Sequence, residues 1–298
     1  MTVPDKEPND APTTATPTEE QAAEVQPAEV SARRAIPGRA WAIVVAAALL
    51  TGAAGYFAGQ HNSTTSYALA TGGVVAPGTE TAGPTSGADG TFDATIYGSG
   101  APLTAGADIT AVHRRNPADP FAVGALDAPV VISEFSDTEC PYCARYTNET
   151  ESQIITRFVD TGLVRIEWND MPINGPLAVE GAKAGRAAAE QGRFQEFKKE
   201  LYANHPATGG HPEFTIDDYV AFAETAGVTD IDLFRRHATD DTFTASVDAA
   251  QAYGQEIGIT GTPAFVVGTQ FVSGAQPYAS FEKAILGELA VLGDSGDN

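Results

Sequence analysis

Val130 to Ala144 reads VVISEFSDTECPYCA, and the fold turns on this stretch. Its first six residues are the short, mostly apolar run of a buried strand. Ser136, Asp137 and Thr138 break that run. Cys140, Pro141, Tyr142 and Cys143 then fall at the first turn of a predicted helix running through Tyr146, Ile154, Ile155 and Phe158. Pro141 suits this place, because its fixed φ matches the first helical turn and its missing N–H costs nothing there. The free N–H groups and dipole of a helix N-terminus favour an anion. The first cysteine is therefore expected to ionise below the roughly 8.5 of a free thiol, and the thiolate is the reactive form.

A structural disulfide and half of a zinc site are the other readings of the motif. Zinc needs four ligands, usually from a second cysteine or histidine pair at matching spacing. Cys140 and Cys143 are the only cysteines, and His61, His113, His205, His211 and His237 are scattered, two of them in a Pro/Gly-rich loop. The order strand, CxxC, helix favours a redox dithiol. Cys140 is then the exposed nucleophile, and Cys143, one turn in, faces the interior as the resolving thiol.

Asp119 to Ala144, DPFAVGALDAPVVISEFSDTECPYCA, resembles the DsbA-like branch of the thioredoxin superfamily, and so does Gly258 to Pro277, GITGTPAFVVGTQFVSGAQP. The resemblance runs from about Arg115 to Leu292 and says nothing about the first hundred residues. Pairing CPYC with Gly-Thr-Pro at this distance is far more specific than CxxC alone. It implies a thiol-disulfide oxidoreductase whose redox group is the Cys140–Cys143 disulfide, with no added cofactor. It also implies a cis Thr262–Pro263 bond opposite the dithiol. There the Thr262 backbone would pair with an extended substrate segment, and Pro141 and Tyr142 would share the substrate surface. Glu134 lies on the strand face of Val130 and Ile132, so it is expected to point inward. The resemblance gives it the proton of the inner cysteine, and burial would raise its pKa toward the range such a transfer needs.

Tyr142 departs from the pattern, since the strongly oxidising members carry histidine there and CPYC occurs in reductive glutaredoxins. If Cys140 had a pKa of about 4, ionisation at pH 7 would favour the reduced state by roughly 4 kcal/mol, or about 90 mV; at about 6.5 the gain is roughly 1 kcal/mol, or about 20 mV. With no histidine and with Asp137 and Glu139 adjacent, a weaker oxidant than the extreme members is expected.

The 298 residues, 43% hydrophobic, supply one domain with a sizeable core plus substantial non-globular sequence. A net charge of -22 argues against nucleic-acid binding. Residues 1–38, rich in Pro, Thr, Ala and Glu, are expected to be a disordered cytoplasmic tail. Residues 39–59 form a predicted transmembrane helix: Trp41 to Gly59 at about 1.5 Å per residue spans roughly 28 Å. A buried core helix is the competing reading, but no helical partner lies nearby in the sequence. Arg33, Arg34 and Arg39 precede the apolar run from Trp41 and no Lys or Arg follows until Arg114, which puts the N-terminus inside and the domain outside. Ala68-Leu69-Ala70 has the form of a signal-cleavage site but lies far beyond the apolar run, so an uncleaved anchor is favoured. Arg33-Arg34 lacks a twin-arginine continuation.

Residues 60–111, rich in Gly, Thr, Ser, Ala and Pro, are predicted to be a flexible linker reaching some 35 to 45 Å. The domain proper covers 112–293. Strand 163–168 follows the CxxC helix, which ends at Gly162. An all-helical insertion occupies about 174–257, its third helix opened by a Thr215/Asp218 capping box. A hairpin about Gly268-Thr269 and a closing helix from Phe281 to Leu292 complete an α/β thioredoxin core with an inserted helical subdomain.

A monomeric, membrane-anchored, extracytoplasmic enzyme that forms disulfides in exported proteins with free thiols is the expected function. A membrane redox partner, quinone-linked, would recycle it. A reductase or isomerase of the same fold is one alternative, and a tethered chaperone or binding module with a structural disulfide is another.

Overall fold

A computed structural model of the chain describes residues 67–68, 74–81, 83–99 and 108–295. The predicted tail and membrane span lie outside these residues. Among those described, no helix is long and apolar enough to cross a membrane.

Two short strands, β1 (Tyr67–Ala68) and β2 (Val74–Val75), pair antiparallel. The main sheet contains β3 (Ala122–Val123), β4 (Val130–Ser136), β5 (Val164–Asp170), β6 (Ala264–Val267) and β7 (Gln270–Ser273), in the order β3-β5-β4-β6-β7. β4 runs parallel to β5 and antiparallel to β6, so it is central. Helix α1 (Pro141–Tyr146) continues through π-helical turns at Thr147–Glu151 and Ile155–Val159, with Ser152–Ile154 α-helical between them. The insertion consists of α2 (Pro176–Ala189), α3 (Phe194–Ala203), α4 (Ile216–Thr225), α5 (Ile231–Thr239) and α6 (Thr244–Glu256). Helix α7 (Tyr278–Ser295) closes the chain. Thr215 and Asp218 form the capping box of α4.

Every residue of β4 and β5 is buried, because helices cover both faces of the sheet. On β4, Val130 and Ile132 join Tyr146, Ile154, Phe265, Phe281 and Ile285 in one cluster, while Phe135 meets Met171 and Ile259 on the other face. Apolar and polar residues alternate along β5, yet every one of them is buried. Its charged members are buried as ion pairs: Arg165 Nε lies 2.8 Å from Glu167, and Asp170 pairs with Arg186 of α2 at 2.7 Å. Burial alone would raise the Glu167 pKa, but Arg114 and Arg165 beside it hold it below its usual value.

The predicted flexible linker requires correction over residues 74–81 and 83–99, which lie against the domain. Gly78 N–H donates to Gly162 O at 2.8 Å, and Asp127 accepts from the N–H of Thr79 and Glu80. Phe92 N–H reaches Glu190 O, and Gly192, at φ +67, leaves room for the Phe92 ring. Arg186 Nη1 donates to Ala94 O at 2.6 Å and to Ile96 O at 3.2 Å. Composition suggests a tether because the segment has no apolar period. It is held by its backbone polar groups, whose partners lie far away in the sequence.

Candidate active site

Cys140 is the N-cap of α1, with Pro141 in the first turn. The strand must stop here: Asp137 turns the chain by accepting from Glu139 N–H at 2.8 Å, and its second oxygen takes the N–H groups of Ile173 and Asn174 and the Asn174 amide. The peptide Thr262–Pro263 is cis, and Thr262 O lies 3.4 Å from Cys140 Sγ. The structure thus brings together Cys140, Cys143, Pro141 and the Thr262–Pro263 loop. Tyr142 stands beside them, 56% exposed, with the Arg145 guanidinium 5.0 Å from its ring centre.

The two thiols shift in opposite directions. Cys140 is pushed down to about 6, first by hydrogen bonding from the Cys143 side chain, against the opposing effect of burial, and further by the Thr262 side chain and the N–H groups of Cys143 and Tyr142. Cys143 is fully buried, and burial followed by the neighbouring Cys140 pushes it well above the ordinary thiol value. A thiolate at Cys140 beside a protonated thiol at Cys143 is the arrangement that attack and resolution by a dithiol require. Among the described residues, no group of three or more His, Cys, Asp or Glu side chains gathers as a metal site.

Glu134 is fully buried, pointing inward as its alternation indicated. Burial raises its pKa to about 7, with Lys198 lowering it and Glu151 raising it. Lys198 Nζ stands 4.0 Å from Glu134 Oε2 and 2.5 Å from Glu151 Oε1, and 5.5 Å from the centre of the Trp168 ring. The buried Ser136 hydroxyl favours the charged form of both Glu134 and Cys143. Lys198 and Glu151 were not singled out from sequence. The signal for Lys198 is its place on the apolar stripe of α3, between Phe194 and Phe197 on one side and Leu201 and Tyr202 on the other.

A family profile described as Thioredoxin matches residues 116–286. The chain belongs to the thioredoxin family. A second profile, described as the N-terminal domain of DsbA, matches residues 46–112, most of which lie outside the described residues. Oxidised BdbD of Bacillus subtilis superposes on this thioredoxin-family domain with a TM-score of 0.54 at 22% identity, covering 57% of the chain and 92% of BdbD. DsbA of Chlamydia trachomatis gives 0.50 at 20%, over 58% and 91%. These likenesses establish a DsbA-like thioredoxin fold. Among curated proteins, a probable disulfide bond formation protein D of Bacillus cereus is 27% identical over 56% of the chain and 78% of its own length. The Na(+)/H(+) antiporter NhaA 3 of Salinispora tropica is 31% identical over 56% of the chain but only 24% of the antiporter. The chain thus spans about a quarter of the length of the antiporters it matches.

Proposed function

We propose that the protein is a thiol-disulfide oxidoreductase that forms disulfides in exported proteins through Cys140 and Cys143. The opposite environments of the two thiols carry this reading. A substrate thiolate attacks the sulfur of Cys140 in the Cys140–Cys143 disulfide, and Cys143 leaves. A second substrate thiolate then attacks the substrate sulfur of the mixed disulfide, expelling Cys140 as a stabilised thiolate. The substrate leaves oxidised and the dithiol reduced, so a membrane redox partner, quinone-linked, must take up two electrons to restore the disulfide. Pro141, Tyr142, Thr262 and Pro263 form the substrate surface. Glu134, which keeps a proton near neutrality, serves Cys143 as base or acid when that thiol enters or leaves the disulfide. No cofactor beyond the disulfide is required.

The reading places this domain outside the cytoplasm, as a monomer tethered by the span at 39–59, in keeping with the arginine asymmetry around that segment. The name of the Bacillus cereus relative, a probable disulfide bond formation protein D, supports the oxidative direction. The test is insulin reduction by the full-length protein and its Cys140→Ser variant, with the redox state of the pair trapped in intact cells. Wild type should reduce insulin and the variant should lose at least about a hundredfold, and the trapped pair should be mainly oxidised. A pair held mainly reduced would make the protein a reductase or isomerase instead. Equal activity of variant and wild type would remove the exchange reading.

A further inference from the structure

The turn that delivers Cys140 is held from outside the thioredoxin core. Three consecutive carbonyls, those of Asp137, Thr138 and Glu139, each meet a donor from the end of α3 or the loop after it. Tyr202 Oη donates to Asp137 O at 3.0 Å, His205 Nε2 lies 2.8 Å from Thr138 O, and His211 Nδ1 lies 2.9 Å from Glu139 O. A carbonyl oxygen can only accept, so the proton sits on Nε2 of His205 and on Nδ1 of His211. The N–H ends of the same turn are also fixed, with Glu139 N–H on the Asp137 carboxylate and Cys140 N–H on Asp137 O at 3.1 Å.

His205 is built into this position. Its ring lies 5.2 Å from the Tyr202 ring and 5.7 Å from the Phe214 ring, edge-on to the latter. Its Nδ1 is buried with no hydrogen bond, and burial pushes the imidazole toward the neutral form. The donor therefore works as a dipole, not as a charge. His211, by contrast, is exposed. The acidic groups on this side, Asp137 and Glu139, are both pushed up by burial, and Glu213 donates its backbone N–H to Glu139 at 3.4 Å.

We propose that Tyr202, His205 and His211 are positioning residues for Cys140: the helical insertion holds the carbonyl dipoles of the catalytic turn on itself and so keeps their negative ends off the nucleophilic sulfur. A carbonyl end left uncompensated one or two residues before a thiolate opposes it, whereas the N–H groups of Tyr142 and Cys143 favour it. The inference rests on Cys140 being the nucleophile, as the proposed function has it, and it assigns the insertion a chemical role in addition to covering the sheet. It also explains how a site with Tyr142 between its cysteines keeps an acidic thiol: the imidazoles come from sixty and more residues downstream, onto the turn rather than into the motif.

The test uses reduced full-length protein and the rate of iodoacetamide modification of Cys140 across pH, located by peptide mapping. His211→Ala removes the donor from an exposed loop position, and His211→Asn restores one, because the asparagine amide nitrogen can occupy the place of Nδ1. His211→Ala should move the midpoint up by about half to one pH unit, slowing modification at pH 6 about two- to fivefold while leaving the plateau at high pH unchanged. His211→Asn should return to within about twofold of wild type at pH 6. His205→Leu against His205→Gln repeats the comparison at the buried donor. An unmoved midpoint in His211→Ala, or equal shifts in His211→Ala and His211→Asn, overturns the proposal. Insulin reduction by the wild type is read in parallel. If it is absent while the midpoints shift, the exchange reading falls and the positioning role stands.

Discussion

Cys140 and Cys143 are one helical turn apart, yet the rim around the first and the floor beneath the second obey different rules. At the rim the sulfur donates to the Thr262 carbonyl at 3.4 Å, but the α1 N-terminus, the Thr262 side chain and the Cys143 thiol together outweigh burial. At the floor burial is the largest effect, and the nearest charged group, Cys140 itself, also opposes ionisation. Solvent exposure does not separate the two, for Cys140 is itself only 4% exposed and Cys143 0%. Polar groups turned toward its sulfur make the first thiol acidic, while burial holds the second protonated.

The floor should break most easily at Lys198, whose ammonium is buried against Glu134 and Glu151. Lys198→Met leaves two buried carboxyls without their cation, a change that typically costs about 3 to 5 kcal/mol. Urea denaturation at pH 8 should show a loss of this size and a smaller one at pH 5, where Glu134 is protonated. A loss below about 1 kcal/mol at pH 8 would mean that the ion pair contributes little.

Glu134 itself sharpens the comparison through pH. Its folded pKa is raised from 4.5 to about 7, so the folded state holds a proton that the unfolded chain has released. The stabilisation from this group is complete below about 4.5 and is lost as pH rises through 7, a change of about 3 kcal/mol. Glu134→Gln should flatten urea midpoints between pH 5 and 8 relative to wild type. An unchanged slope would place the proton elsewhere.

The rim depends on a close approach by α2. A Cβ added at Gly181 would stand 2.8 Å from Thr138 Cβ and nearer still to its hydroxyl. Helix propensity favours Gly181→Ala by about 1 kcal/mol, while overpacking costs about 1 to 3 kcal/mol. A net loss of about 1 kcal/mol, with a slower Cys140 and an unchanged Cys143, is expected from melting curves and alkylation rates. A stabilised protein with unchanged rates would show that α2 yields without disturbing the turn.

Features that act locally were legible in the sequence. The CPYC turn, the β6–β7 hairpin, the Thr215 cap and the inward aim of Glu134 each follow from a few adjacent residues and one period. Features that depend on a distant partner were not. Residues 74–99 look like a tether because their anchors, Arg186, Asp127 and Glu190, are far along the chain. His205 and His211 look scattered because the carbonyls they meet belong to backbone 67 and 72 residues earlier. Lys198 could have been found, since a lysine on an apolar helical stripe must bury its charge against a partner or carry it out to water.

The central claim is that one turn of helix separates an acidic nucleophile from a suppressed partner thiol, and the direct measurement is iodoacetamide modification of the reduced full-length protein from pH 4 to 10, read separately at each cysteine. Cys140 should titrate with a midpoint near 6, and Cys143 should stay unmodified until well above the ordinary thiol value. Equal rates at the two cysteines, or a Cys140 midpoint at or above the roughly 8.5 of a free thiol, would contradict the account.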